Sequence, residues 1–207
     1  MVTSLFFEQL KGSGDNFSYV IADEESKDAI VVDPSTNTKE IAETVESTGL
    51  KVIYIVNTHA HRDHTMGNGE LKSRYAAKIV AYQNSPVTKD LGVEDGDIIR
   101  FGKIEASIMH TPGHSPDSIC ILIDDKVLTG DTLFVGECGR TDLSGGNSVD
   151  MYESLFARLM HLDDKVEVYP GHDYGIFPSS TIGKEKMTNY VLQPRSVQEF
   201  VEFMRTP

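Results

Sequence analysis

The stretch KVIYIVNTHAHRDH, residues 51–64, constrains this chain more than any other. Val52, Ile53, Ile55 and Val56 form an apolar, β-branched run that reads as a buried strand, and Asn57-Thr58 ends it. Directly behind that end stand His59, His61, Asp63 and His64, four metal-capable side chains within six residues. Ligands gather where strands end, because loops there are held by a rigid sheet yet stay open to solvent. His59 and His61 are two apart, so an extended backbone points both rings the same way. Asp63 and His64 follow as the chain turns, and face a neighbouring direction. The pattern predicts one metal site, or two sharing a wall. A merely solvated turn is the plain alternative, yet three of the seven histidines in 207 residues fall here.

Length suits one domain over residues 1–207 with an ample core. A formal net charge of −13 argues against a nucleic-acid backbone or an anionic membrane as partner. No run of about 18 apolar residues occurs, and MVTSLFFEQLKGSG lacks the basic start and long apolar core of a signal peptide. A soluble, cytoplasmic protein is the simplest expectation. Two cysteines make no disulfide framework. Cys120, inside SICILI, reads as core, and Cys138 as a small buried hydrophobe rather than a reactive thiol.

LFFEQL, FSYVIA and AIVVD are short apolar runs separated by turns, which predicts an antiparallel meander. Asp33-Pro34-Ser35 closes the third run. Thr38 is placed to cap a helix over 39–48 that stops at Gly49. A helix near 67–76 leads to the strand KIVAY. The second half repeats the order: DIIRF, KIEASIMH, SICILI and KVLTG, a helix over 149–161, the strand VEVYP, then helices near 181–189 and 196–204. Two sheets packed face to face with helices on both outer faces would bury these strands, an α+β, four-layer αββα sandwich.

Three more candidates follow strand ends. His114 lies in HTPGHSPDS, Asp131 in LTGDTLF and His172 in VYPGHDYG, each behind an apolar strand and a Gly or Pro-Gly turn. With the first four they make five histidines and two aspartates, enough for two close metals or for one with a rich surround. His110, at a strand end, and His161, after a helix, do not follow this grammar and are set aside.

HAHRDH, TPGHSPDS, LTGDTLF and YPGHDYG together resemble the metallo-β-lactamase superfamily, in the family's order. Within it, GDTLFVGECGRTDLSGGN and the tail from GHDYG onward are similar to the glyoxalase II branch, and more closely to its persulfide dioxygenases. The latter resemblance implies one Fe(II) on His59, His114 and Asp131, with His61, Asp63, His64 and His172 orienting ligands and holding water. It implies oxidation of a small thiol persulfide by O₂ to sulfite and thiol, Arg140 anchoring a substrate carboxylate and Tyr174 positioning the sulfur. The glyoxalase II resemblance implies instead two zinc ions, or a zinc and iron mixture. His59, His61 and His114 would hold one, Asp63, His64 and His172 the other, with Asp131 bridging, and activated water would attack a thioester. In either case Asp63 and Asp131 are the carboxylates expected to serve catalysis. A non-catalytic scaffold of this fold would usually have lost ligands, and this chain lacks none. An edge strand or the apolar face of the last helix (Val197, Phe200, Val201, Met204) could pair two subunits.

Overall fold

The computed structural model describes residues 4–12 and 14–205. Its first sheet opens with the antiparallel meander β1 (Leu5–Lys11), β2 (Phe17–Asp23) and β3 (Asp28–Val32). Helix α1 (Thr38–Thr48) then crosses to β4 (Lys51–Val56), which lies parallel to β3. A short α2 (Arg62–Thr65) and α3 (Asn68–Tyr75) lead to β5 (Lys78–Tyr82) and β6 (Leu91–Val93), both added in parallel.

The second sheet has β7 (Ile98–Phe101), β8 (Ile104–His110), β9 (Ile119–Ile123) and β10 (Lys126–Gly130) as antiparallel neighbours. The small hairpin β11 (Leu133–Phe134) and β12 (Glu137–Cys138) and helix α4 (Ser148–Tyr152) intervene before β13 (Glu167–Pro170), which pairs in parallel with β10. β14 (Ser180–Thr181), α5 (Ile182–Thr188) and α6 (Val197–Arg205) complete the chain. Sheet orders are β1-β2-β3-β4-β5-β6 and β14-β13-β10-β9-β8-β7.

Side-chain alternation sorts the strands into three apolar layers. Tyr19 and Ile21 of β2 face Ile119, Ile121 and Ile123 of β9 in the layer between the sheets. Val20 and Ala22 point the other way, under Ile41 and Val45 of α1. Cys120 and Val127 lie beneath Met151, Leu155 and Phe200 on the opposite outer face. Each fully buried isoleucine contributes about 1.5–3 kcal/mol, and most of the buried isoleucines lie in the central layer. This is the expected αββα sandwich. Among the described residues no helix is long and apolar enough to cross a membrane.

Three local features differ from expectation. Thr38 is the first residue of α1 rather than its cap, and its hydroxyl donates to Glu70 at 2.9 Å. The helix expected over 149–161 is α4 followed by a π-helical turn, Glu153–Arg158, and a 3₁₀ turn, Leu159–His161. Its apolar residues Met151, Leu155 and Leu159 are spaced by four, which drifts about 40° per step around an ideal α-helix. A wider turn reverses that drift and keeps all three buried on one face. Finally, Ala29 pairs with Val52 but Ile30 with Tyr54, so β4 bulges at Ile53. The bulge resets the alternation, which lets Val52 and Ile55 share the outer face while Val56 turns inward.

The two sheets are stitched together at the edge where β4, β8, β10 and β13 end. Ile119 N–H donates to the Thr58 carbonyl, and Phe17 N–H to the Gly171 carbonyl, both at 2.8 Å. Gly171 N–H in turn donates to the Gly130 carbonyl at 2.8 Å. Loops from both sheets are thereby fixed against one another at one rim.

Candidate metal centre

All seven expected ligands converge at this rim. His59 follows β4, and His61 precedes α2 in extended conformation, so that Asp63 and His64 ride on its first turn. His114 follows β8, Asp131 follows β10 and His172 follows β13. Donor atoms of His59, His61 and His114 lie within 4.8 Å of one another, as do those of His59, His64 and Asp131, and those of Asp63, His64 and His172. His61 Nδ1 is 3.0 Å from His59 Nε2 and 2.9 Å from His114 Nε2. His64 Nε2 and His172 Nε2 are 3.2 Å apart, and each is 3.3 Å from a different oxygen of Asp131. His114 Nε2 and His59 Nε2 lie 3.4 Å and 4.0 Å from Asp131 Oδ2.

Outward hydrogen bonds decide which nitrogen each ring presents. His64 Nδ1 faces Asp33 Oδ2 at 3.0 Å, and His172 Nδ1 faces Asp15 Oδ1 at 3.1 Å. His114 Nδ1 lies 2.8 Å from the Arg140 carbonyl. These oxygens only accept, so each Nδ1 carries the proton. Thr58 donates its hydroxyl to Asp33 at 2.6 Å, so it accepts from His59 Nδ1 at 3.1 Å. Four rings therefore present Nε2 lone pairs to one volume, the orientation in which imidazole binds a metal.

Burial makes that convergence costly without a cation. His59, His64, His114 and His172 are buried, and so is Asp131. Burial, reinforced by neighbouring rings, pushes His59 well below its ordinary pKa, and burial also lowers His114. For His64 burial acts the same way, but Asp131, Asp33 and Asp63 outweigh it and raise the ring to about 9. His172 is raised likewise, with Asp131 overcoming its burial. Burial would raise Asp131 and Asp63, yet the facing histidines, His64 foremost, hold both below the usual carboxylate range. The acids thus pull a proton onto a ring whose partner ring is 3.2 Å away, and a divalent ion can take that proton's place. Asp131 Oδ1 is also buried with no hydrogen bond among the described residues. An orphaned carboxylate oxygen among inward imidazole lone pairs fits a divalent transition metal. Gly171 keeps the floor open, since a Cβ there would stand 2.4 Å from Asp131 Oδ1.

Arg140 and Tyr174 flank the centre differently. The Arg140 carbonyl orients His114, while its guanidinium is exposed and holds Asp142 through two 2.6 Å bonds. It lines a cavity of about 840 Å³ with Cys138, Tyr190, Phe203 and Met204. The Tyr174 ring stacks on His172, centroids 4.9 Å apart and planes 5° from parallel, and partial burial pushes its hydroxyl up to about 12. Cys120 and Cys138 are both buried with raised pKa values, as burial demands of a thiol. His110 stacks on Tyr82 and lies outside the ligand groups, as does His161.

Sequence reasoning missed Asp33, Asp15 and Asn16. Asp33 obeys the same strand-end grammar as the candidate ligands, closing β3, yet its side chain faces the outer nitrogen of His64. It accepts from Thr58 N–H, Thr58 hydroxyl and His64, and occupies the left-handed region at φ 49°. Asn16 donates to Asp63 Oδ2 at 3.1 Å.

The metallo-β-lactamase superfamily model matches residues 12–172. The human mitochondrial persulfide dioxygenase ETHE1 is 36% identical over 195 residues, covering 91% of this chain and 75% of that protein. A hydroxyacylglutathione hydrolase of Pelagibacter ubique is 38% identical over 165 residues, covering 77% and 67%. The crystal structure of ETHE1 from Myxococcus xanthus superimposes with a TM-score of 0.90 at 34% identity, covering 97% of this chain and 90% of that one. Likeness to both persulfide dioxygenases and glyoxalase II enzymes is what the motifs led one to expect.

Proposed function

The chain belongs to the metallo-β-lactamase superfamily, and from that premise we propose that it oxidises a small thiol persulfide with O₂ at one Fe(II) per chain. The observation that carries this reading is the 36% identity to a persulfide dioxygenase across 91% of the chain. His59, His114 and Asp131 are the residues that would hold the iron, two neutral imidazoles and one carboxylate. Bound ferrous iron would supply the electrons that activate O₂ toward the substrate sulfur.

The chain's own groups do the rest. Thr58 and the Arg140 carbonyl fix the Nδ1 protons of His59 and His114, so both rings keep Nε2 lone pairs inward. His64 Nε2 and His172 Nε2 stand 3.3 Å from Asp131 on its other side, where they would hold water. The Tyr174 hydroxyl, kept protonated to about 12, is a donor for the persulfide sulfur. The Arg140 fork suits a substrate carboxylate, which would exchange with Asp142. Overall, persulfide, O₂ and water become thiol and sulfite. Oxygen uptake on glutathione persulfide, with sulfite measured in step, tests the reading. Uptake without sulfite, or none in iron-loaded protein, sinks it.

A second reading, thioester hydrolysis at two zinc ions or a zinc and iron mixture, is favoured by the assembly of Asp63, His64 and His172 as a second ligand group beside the first. The substrate is a small molecule in either case, the protein one cytoplasmic domain, and any pairing of two copies would use an edge strand, since Phe200 and Met204 of the last helix pack into the chain's own core.

A further inference from the structure

The first hairpin reaches the half of the centre built from Asp63, His64 and His172. Its turn closes when Gly12 N–H donates to the Asn16 carbonyl at 2.8 Å. It is stitched to the loop after β13: Asp173 N–H donates to the Asp15 carbonyl at 2.7 Å, and Asn16 forms an antiparallel bridge with His172. Lys11 adds an ion pair to Asp173 at 2.6 Å. From this seat two side chains touch ligands. Asp15 Oδ1 accepts from His172 Nδ1 at 3.1 Å, and Asn16 Nδ2 donates to Asp63 Oδ2 at 3.1 Å. Asn16 is buried, while the Asp63 side chain is 46% exposed and, beyond His64 and His172 at 3.5 Å and 3.4 Å, has Asn16 as its hydrogen-bond donor. The other half owes nothing to this turn, because His59 and His114 are oriented by Thr58 and the Arg140 carbonyl.

We propose that Asp15 and Asn16 are positioning residues for the Asp63–His64–His172 group, and that this turn sets whether a second divalent cation is retained there beside the first. The inference rests on the metal centre proposed above, whichever reaction that centre serves. Asp15 pins the His172 proton on Nδ1, which turns Nε2 inward, and Asn16 confines the Asp63 carboxylate to the oxygen position that faces both rings. Removing an outer partner of this kind costs metal affinity about 10–100-fold. Asp15 is itself half exposed, so solvent competes for its bond and its effect falls at the lower end.

The test is zinc titration of the chelator-stripped full chain against a chromophoric competitor, with bound zinc counted directly. With zinc offered in excess, both ligand groups of the stripped wild type are expected to fill, whatever metal and number of ions the protein carries as purified. Asp15→Ala and Asn16→Ala should weaken one ion about 10–100-fold and leave the other unchanged. Asp15→Asn, whose amide oxygen still accepts from His172, should restore most of that loss. Melting temperatures of the metal-free variants should match wild type. Two equally tight ions in both alanine variants would overturn the proposal, and so would equal weakening of both ions. Wild type that binds a single zinc would overturn it while leaving the first site standing. Wild type that binds none would instead refute the metal centre itself.

Discussion

Replacing Asp33 by Asn probes the support of the centre with little steric change. Asn tolerates the left-handed backbone of Asp33, φ 49°, so backbone strain does not confound the result. Asp33 Oδ1 accepts from Thr58 N–H at 2.7 Å, and Oδ2 accepts from the Thr58 hydroxyl at 2.6 Å and from His64 Nδ1 at 3.0 Å. An amide supplies one oxygen. If its nitrogen faces Thr58 N–H, two donors collide. If it faces His64, that ring must move its proton to Nε2 and lose the lone pair aimed at the metal. Each bond to a charged group is worth about 1.5–3 kcal/mol, and relief of the buried carboxylate's desolvation offsets part of the loss. A net loss of about 2 kcal/mol corresponds to a melting temperature roughly 4–8 °C lower for a chain of this size. Metal affinity should fall about 10–100-fold through His64. Calorimetry on metal-free protein and a chelator-competition titration read the two effects separately. A variant that melts with wild type and binds metal equally well would show that Asp33 merely closes a turn.

Gly171→Ala would place a methyl 2.4 Å from Asp131 Oδ1 and 2.9 Å from His64 Cε1. Overpacking of this kind costs about 1–3 kcal/mol, and metal per chain should drop more sharply than folded yield. Tyr174→Phe keeps the stack on His172 and removes only the hydroxyl. Loss of about 1 kcal/mol should lower kcat/KM about fivefold with metal content unchanged, and an unaltered value would exclude Tyr174 as donor to substrate. Native protein should not react with thiol reagents until unfolded, because burial raises Cys120 to about 11 and Cys138 further still. Rapid labelling of Cys138 in the folded protein would contradict that burial.

The candidate ligands were legible because four of them obey one rule, an apolar strand followed by a turn and a metal-capable side chain, and His61, Asp63 and His64 stand close behind the first. β4 with His59, β8 with His114, β10 with Asp131 and β13 with His172 all follow it, and the structure brings them to one rim. The sandwich was legible for a related reason, since β2 and β9 carry apolar residues on both faces and demand cover on each. What stayed hidden depends on contacts between segments far apart in sequence. Nothing near Asp15 announces His172, 157 residues away, or marks Asn16 as a partner of Asp63. Asp33 shows how a ligand-like position can serve a ligand instead. The bulge at Ile53 and the wide turn at Glu153–Arg158 satisfy packing across layers, to which local periodicity is blind.

The most direct test of the central claim is to purify the protein without added metal, then count metals per chain and follow oxygen with glutathione persulfide in the same sample. The account predicts about one iron per chain and O₂ consumed in step with sulfite formed. Metal-loaded protein that consumes no oxygen but hydrolyses a thioester such as S-D-lactoylglutathione would contradict it.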